Sequence, residues 1–286
     1  MAVVTGGGRG IGRAIAQALA AAGARVAVLA RSADELGDTV RLIESSKGMA
    51  AAFPTNVAES ESVTRSFAEV ERALGPVHLL VNNAAVPGPL GPFSETDPAE
   101  WWKAMEINLR GPILCTRAVL PGMVERRRGR IVNVSSGGGG LAIAYFSSYV
   151  TAKTALTRFT ECIATEVKPF GISAFAVGPG TVRTNMADYS LTSPEGRKWL
   201  PWFRRIFDEG LDASPERPAG LILRLASGQA DALSGLFIQT SDNLDLLLAR
   251  AEEIRRDRLY SLRFRRLEAA NPAYVAIALE AERARE

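Results

Sequence analysis

The segment Thr5-Gly-Gly-Gly-Arg-Gly-Ile-Gly12 lies between a short apolar run, Ala2 to Val4, and a stretch with apolar residues at helical spacing, such as Ile11 and Ile15. Glycine allows positive φ angles and a close approach of the backbone to a ligand. The start of a helix also presents unpaired N–H groups and a positive dipole end, which bind phosphate. The segment therefore predicts a strand, a turn and a helix that hold a pyrophosphate. A glycine-rich turn can also serve tight packing alone, so further motifs in the chain are needed to distinguish the two roles.

Short apolar runs alternate with helix-length segments along most of the chain. This alternation predicts βαβ units and a parallel sheet with helices on both faces. Val26–Ala30 and Leu79–Val81 are apolar throughout, as expected for strands covered on both sides. The predicted fold class is α/β, a doubly wound Rossmann-type sheet in a single domain. The expected strands are Ala2–Thr5, Arg25–Ala30, Ala50–Thr55, His78–Asn82, Arg130–Ser135, Ile172–Val177 and Leu236–Gln239.

Composition excludes several classes of protein. The 286 residues are 47% hydrophobic and 23% charged, which argues against a disordered or coiled-coil chain. Two cysteines cannot build a disulfide framework, and no Cys or His cluster has the spacing of a metal site. A net charge of +3 does not imply nucleic-acid binding. No secretory signal or long apolar span is visible, so we expect a cytoplasmic protein without a metal or a membrane partner.

Two segments interrupt the alternation of strands and helices. Residues 185–214 are rich in aromatic side chains, and an insertion of this length after a strand is more often a lid than an idle loop. We therefore expect a domain of residues 1–241 that includes this lid, followed by a C-terminal extension of residues 242–286. The extension can pack on its own domain or on a partner subunit. Its helical apolar stripe consists of Leu244, Leu247, Leu248, Ala251 and Ile254.

The glycine segment has the spacing T-G-x-x-x-G-x-G, and five further motifs follow it in order. With them, the chain resembles the short-chain dehydrogenase/reductase superfamily in its common form, over about residues 1 to 241. That resemblance implies an oxidoreductase that uses a nicotinamide dinucleotide. The other motifs are Asn82-Asn-Ala-Ala85, Asn108, Ser136, Tyr149-x-x-x-Lys153 and Pro179-Gly180-x-x-x-Thr184.

Tyr149 and Lys153 are four residues apart in a helical stretch and therefore share one helix face. A nearby ammonium favours the phenolate and lowers the pKa of a tyrosine, so we expect Tyr149 to be the general acid or base. The resemblance gives Lys153 a second role, bonding to the nicotinamide ribose. It also implies that Ser136 binds the substrate oxygen and that Asn108 orients a water beside Lys153.

The resemblance further implies a set of cofactor-binding residues. The chain departs mildly from the family pattern in two places, with Asn56 where Asp is usual and Ala85 where Gly is usual. The expected residues are Gly6, Arg9, Gly10, Ile11, Gly12, Arg31, Ser32, Asn56, Val57, Asn82, Asn83, Tyr149, Lys153, Pro179, Gly180, Val182 and Thr184.

The end of the second strand indicates which nicotinamide dinucleotide is bound. An acidic residue there would accept from the ribose 2′-hydroxyl and repel a 2′-phosphate, but the chain has Ala30 followed by Arg31 and Ser32. Arg9 adds a guanidinium from the glycine turn, and arginine pairs bidentately with phosphate. Two arginines and no carboxylate predict NADP(H) in preference to NAD(H), unless both arginines are simply solvated.

The function expected from these residues is a carbonyl reductase or alcohol dehydrogenase that uses NADP(H). Apolar residues around the motifs, such as Leu90, Ile143 and Phe146, indicate an apolar ketone or alcohol as substrate. A carboxylate or acyl-carrier substrate remains open, because the segment after Pro179 also contains Arg183, Arg197 and Arg204. Reduction of C=C or C=N bonds and an epimerase-like cycle remain open, and so does a regulator that senses NADP(H) without turnover. The resemblance favours a homodimer or homotetramer, and we expect no nucleic-acid partner.

Overall fold

The apolar runs of the sequence form one parallel sheet in residues 1–263, the part of the chain that a computed structural model describes. Its strand order is β3-β2-β1-β4-β5-β6-β7, and every neighbouring pair is parallel. The order reverses between β1 and β4, and ligands bind beyond the carboxyl ends of the strands at such a reversal. The strands are β1 (Ala2–Thr5), β2 (Arg25–Ala30), β3 (Met49–Pro54), β4 (Leu79–Asn82), β5 (Gly129–Val134), β6 (Ile172–Gly178) and β7 (Phe237–Gln239).

Helices cover both faces of the sheet, as expected for a doubly wound fold. Successive residues of a strand point to opposite faces, so Val3 and Val4 enter two different apolar cores. The sequence therefore predicted the fold class correctly. The helices are α1 (Gly10–Ala21), α2 (Ala33–Ser45), α3 (Ser60–Leu74), α4 (Pro98–Met105), α5 (Gly111–Glu125), α6 (Ser147–Val167), α7 (Asn185–Thr192), α8 (Pro194–Trp199), α9 (Phe203–Asp208), α10 (Glu216–Ala226), α11 (Leu244–Ala249) and α12 (Ala251–Asp257).

The two cores differ in the helices that close them. One core contains Ile15 of α1 and Ile222 of α10, together with the β-sheet residues of the same face. The other contains Phe67 of α3 and Val119 of α5. Burying an aliphatic or aromatic side chain of this size contributes about 1.5–3 kcal/mol. This burial fixes the sheet, and with it the edge at which the functional residues lie.

Strand bounds differ from the sequence prediction by one residue at several ends. For example, β5 ends at Val134 instead of Ser135. Ser135 still donates its backbone N–H to Val177 O at 2.8 Å, but its hydroxyl bonds to Lys153 O at 3.0 Å. The backbone of Ser135 thus continues the hydrogen bonding to β6 by one residue, while its side chain contacts α6.

The segment 185–214 contains three short helices, α7, α8 and α9. It is tied to the body of the protein where Ala213 donates its N–H to Thr181 O at 2.7 Å and where Leu200 is buried. Its Trp199 ring also lies 4.6 Å from the Tyr145 ring. These contacts place the segment beside the loop that leads into α6.

The start of the C-terminal extension packs on the sheet. Leu244, Leu247 and Ile254 are buried in the same core as Ile15, which favours packing of this part on its own domain. Residues 264–286 of the expected extension lie outside the described residues. Across residues 1–263, none of the helices combines the length and apolar character that crossing a bilayer requires.

Candidate active site

A cleft of about 350 Å³ opens at the carboxyl edge of the sheet, where the strand order reverses. Ligand sites in proteins commonly have a volume of this order. The glycine turn forms one side, and residues of α6 form the other. The sequence-predicted residues that line it are Gly6, Arg9, Gly10, Ile11, Gly12, Arg31, Ser32, Asn56, Val57, Asn83, Tyr149, Lys153, Pro179 and Thr184.

The glycine turn has the geometry that a pyrophosphate needs. Gly6 and Gly10 have φ angles of +63° and +54°, which side chains disfavour. A Cβ on Gly12 would lie 2.2 Å from Gly6 O, so a side chain there would fill the turn. Helix α1 has no side-chain cap at Arg9 and no acidic residue in its first turn. Its first N–H groups therefore remain available to an anion, and the turn fits the pyrophosphate of a dinucleotide.

Asn83 joins the end of β4 to this turn. Its side-chain Nδ2 donates to Thr5 O at 3.0 Å and to Gly6 O at 3.3 Å. In return, Thr5 Oγ1 accepts from the backbone N–H groups of Asn83 and Ala84 at 3.0 and 3.1 Å. These bonds fix the backbone of the turn against β4. Asn83 thus acts on the cleft as a positioning residue.

Lys153 lies behind Tyr149 on α6. Its Nζ is 5.7 Å from the centre of the Tyr149 ring and donates to Val134 O at 2.7 Å. The side chain is almost fully buried, and burial lowers the pKa of Lys153 to about 8. Near-neutral titration is a common property of residues that move protons.

The pKa of Tyr149 differs from the expectation. Burial is the main influence and raises it above its ordinary value, and the Ser136 hydroxyl opposes this effect through a side-chain hydrogen bond. The sequence predicts a lowered pKa for Tyr149, because the Lys153 ammonium and an oxidised nicotinamide ring both favour the phenolate. Burial prevails because removing a phenolate from water costs more than one hydrogen bond returns. Tyr149 is therefore a neutral phenol near pH 7.

Aromatic stacking fixes the orientation of the Tyr149 ring. The Phe146 ring lies parallel to it, with an interplanar angle of 4° and 4.6 Å between centroids. An offset stack of this kind adds about 0.5–1.5 kcal/mol to the burial of the rings. Ser136 caps the short turn that follows β5 by accepting from Gly138 N at 3.1 Å. The Ser136 hydroxyl and the Tyr149 phenol are thus held in place separately, one by the turn after β5 and the other by α6.

Asn108 is fully buried in a π-helical turn, Glu106–Arg110, between α4 and α5. Its Oδ1 accepts from Val86 N and its Nδ2 donates to Val86 O, both at 2.8 Å. The side chain therefore fixes the loop after β4, which lines the cleft. The expectation that Asn108 orients a water remains a prediction.

Five of the predicted residues do not line the cleft, and Asn82 is the clearest case. Its Nδ2 donates to Asn133 Oδ1 at 2.8 Å inside the protein, so the structure does not support a side-chain contact with the cofactor. The reason is strand alternation, which turns Asn82 inward and Asn83 toward the turn. Val182 is also buried and bridges to Ala213. The five are Asn82, Asn108, Ser136, Gly180 and Val182.

Sequence reasoning missed Glu35, which lines the cleft together with Arg31. Its Oε1 lies 2.9 Å from Arg9 Nη1. The end of β2 has no carboxylate, as the sequence predicts, but the first turn of α2 brings one into the cleft beside the two arginines. A signal was present in the sequence, because Ser32 and Glu35 have the spacing of a capping box at the start of a helix. Ser32 Oγ does accept from Glu35 N, at 3.3 Å.

The sequence model of the short chain dehydrogenases matches residues 1–194. The chain belongs to this family. A short chain dehydrogenase of Pseudocercospora fijiensis is 33% identical over 271 residues, 91% of this chain and 87% of that protein. The 2,3-dihydro-2,3-dihydroxybenzoate dehydrogenase of Bacillus subtilis is 32% identical over 80% of this chain and 90% of its own length. A crystal structure of an actinorhodin polyketide ketoreductase variant with NADPH has a TM-score of 0.76 and 31% identity, covering 83% of this chain and 94% of that one.

Membership of the short chain dehydrogenase family agrees with a glycine turn and a Tyr–Lys pair on the two sides of one cleft. The family and fold predictions are confirmed, and so is the prediction of an oxidoreductase that binds NAD(P) and acts on CH–OH or C=O groups.

Proposed function

We propose that this short chain dehydrogenase is an NADP(H)-dependent carbonyl reductase or alcohol dehydrogenase in which Tyr149 exchanges a proton with the substrate oxygen. The observation that carries the proposal is the position of Tyr149 and Lys153 on the wall of the cleft that begins at the glycine turn. Ser136 does not line the cleft, but its hydroxyl bonds to the phenol, so a hydroxyl lies next to the phenol and the amine at one end of this cleft.

Each of these side chains has a distinct chemical task. A bound nicotinamide supplies or accepts a hydride. Because burial keeps Tyr149 neutral, its phenol has a proton to donate to a carbonyl oxygen. Ser136 donates to the same oxygen and aligns it, while Lys153 stabilises the phenolate that remains. Oxidation of an alcohol is the reverse process and requires the phenolate form of Tyr149.

The preference for NADP(H) rests on the cationic side chains at the other end of the cleft. Arg9 and Arg31 both line it beside Ser32, and a guanidinium binds phosphate through two parallel hydrogen bonds. The similar ketoreductase whose crystal structure contains NADPH agrees with this preference. NADPH is thus the cofactor to test first.

The proposed substrate is an apolar ketone or alcohol. Phe146 and Tyr145 flank the entrance to α6, and Trp199 brings the segment 185–214 against Tyr145. Aromatic surfaces of this kind favour a flat or ring-shaped apolar molecule. The similarity to a 2,3-dihydro-2,3-dihydroxybenzoate dehydrogenase supports a hydroxyl on a six-membered ring, although the compound in that name also carries a carboxylate. The segment 185–214 is the proposed lid.

The presence of both Tyr149 and Lys153 in the cleft favours catalysis over sensing of NADP(H) without turnover. Reduction of C=C or C=N bonds would use the same cleft, so a panel of cyclic ketones, enones and imines separates these reactions. The homodimer or homotetramer and the cytoplasmic location expected from the sequence remain predictions.

The test replaces Tyr149 by Phe and follows NADPH consumption with cyclic ketones. Loss of the proton donor should lower the rate about 10²- to 10⁴-fold, whereas NADPH binding, measured by its fluorescence, should change little. Tyr260→Phe is the matched control, because Tyr260 lies in the segment after α12 and is 38% exposed. An unchanged rate in Tyr149→Phe, or equal losses in both variants, would refute the proposal.

A further inference from the structure

Glu35 occupies an unexpected place in a cleft that we assign to a phosphorylated dinucleotide. It lies in the first turn of α2, and its carboxylate pairs with Arg9, the residue that precedes the first glycine of α1. Gly8 makes this approach possible. A Cβ on Gly8 would lie 2.9 Å from Glu35 Cβ and 3.4 Å from Glu35 Oε2. The glycine turn therefore leaves space for the carboxylate as well as for a ligand.

We propose that Glu35 is a specificity-determining residue that competes with the 2′-phosphate of NADP(H) for Arg9. The inference rests on the proposed function, because it takes Arg9 and Arg31 as the phosphate-binding cations. In the free protein, Glu35 neutralises Arg9. A bound 2′-phosphate has to replace the Glu35 carboxylate as the partner of Arg9, and it then lies near the negative charge of Glu35. NAD(H) has a neutral hydroxyl at the same position, so its binding is not weakened in this way.

The exposure of the ion pair indicates that it can be exchanged. The side chains of Arg9 and Glu35 are 55% and 35% exposed, and exposed ion pairs contribute little to stability. A phosphate forms stronger charge-assisted bonds with a guanidinium than a single carboxylate contact does. Glu35 therefore weakens the binding of NADP(H) without preventing it, and it narrows the difference in affinity between NADP(H) and NAD(H).

A different role for the same contact predicts the opposite sign. If Glu35 held Arg9 in place for the phosphate, its removal would weaken the binding of NADPH. Glu35→Gln separates the two roles, since the amide can still accept a hydrogen bond from Arg9 but has no charge. The cap of α2 should survive the change, because Ser32 bonds to the backbone N–H of Glu35.

The experiment measures dissociation constants of NADPH, NADH and adenosine 2′,5′-bisphosphate by calorimetry. We expect Glu35→Gln to bind NADPH and the bisphosphate about 2- to 5-fold more tightly than the wild type, with NADH unchanged. In an Arg9→Ala background, the gain should become smaller, because only the repulsion between Glu35 and the phosphate then remains. Asp38→Asn is the matched control, because it removes a carboxylate from the same helix, where Asp38 pairs with the exposed Arg41 instead.

Thermal unfolding of the free proteins provides a second readout. An acidic side chain near a helix N-terminus is stabilising, so Glu35→Gln should unfold at the same or a slightly lower temperature than the wild type. Tighter binding of NADPH by a variant that is no more stable cannot arise from a more rigid fold. It has to come from the charge.

The outcomes separate this inference from the proposed function. Weaker NADPH binding by Glu35→Gln, or an equal gain in Asp38→Asn, would overturn the role of Glu35. An unchanged NADPH affinity in Glu35→Gln, with a wild type that prefers NADPH, would refute the inference and leave the proposed function standing. If the wild type prefers NADH while Glu35→Gln gains affinity for NADPH alone, the proposed preference fails and the inference stands.

Discussion

The Lys153→Met variant measures how much the buried ammonium group of Lys153 lowers the free energy of unfolding. Burial lowers the pKa of Lys153 from 10.5 to about 8, and each unit corresponds to 1.36 kcal/mol. The charged form therefore destabilises the folded protein by about 3 kcal/mol at neutral pH. Methionine has no charge but loses the hydrogen bond to Val134 O, at a cost of about 1–2 kcal/mol. We expect Lys153→Met to be about 1–2 kcal/mol more stable at pH 7 and inactive.

The pH dependence gives this prediction its characteristic signature. Because the pKa of Lys153 is lower in the folded protein than in the unfolded chain, its penalty is fully present below about pH 8 and disappears as the pH approaches 10.5. The wild type should therefore reach the stability of Lys153→Met between those values and exceed it once the penalty is gone, because only the wild type keeps the hydrogen bond to Val134 O. Urea unfolding at pH 7 and pH 10 measures the difference, with the exposed Lys103→Met as control. A variant that is less stable at pH 7, or a difference that does not change with pH, would refute the reasoning.

Three further predictions follow from the cleft. Gly12→Ala should weaken NADPH binding at least about tenfold, because its Cβ would lie 2.2 Å from Gly6 O; Gly220→Ala, which meets nothing within 4 Å, should bind as the wild type does. Asn108→Ala should lower the free energy of unfolding by about 2 kcal/mol in urea titrations, because Val86 loses two partly buried hydrogen bonds. Initial rates of ketone reduction should fall as pH rises and those of alcohol oxidation should increase, since burial keeps Tyr149 protonated near neutrality.

Much of the fold is visible in the sequence because parallel strands are buried on both faces. Runs such as Val26–Ala30 therefore lack polar residues and stand out from amphipathic helices. The helices of residues 185–214 do not stand out in this way. These helices are short and make contacts with residues distant in the sequence, such as the contact of Trp199 with Tyr145. The spacing of apolar residues along the chain does not reveal contacts of this kind.

The site was predictable where function depends on local spacing. The glycine turn needs glycine at fixed places, and Tyr149 and Lys153 share one face of α6. The direction of Asn82 and the raised pKa of Tyr149 were not predictable, because both depend on which surfaces become buried. Glu35 reaches Arg9 only after α2 packs beside the glycine turn.

The most direct test of carbonyl reduction with Tyr149 as the proton donor follows a deuterium label from NADPH dideuterated at C4 into 2-cyclohexen-1-one during a single turnover. The wild type should place deuterium on the carbon that bears the new hydroxyl. Tyr149→Phe should bind the labelled cofactor but form almost no alcohol. Cyclohexanone with deuterium at carbon 3, which reports reduction of the C=C bond, or labelled alcohol formed by Tyr149→Phe at the wild-type rate, would refute the proposed function.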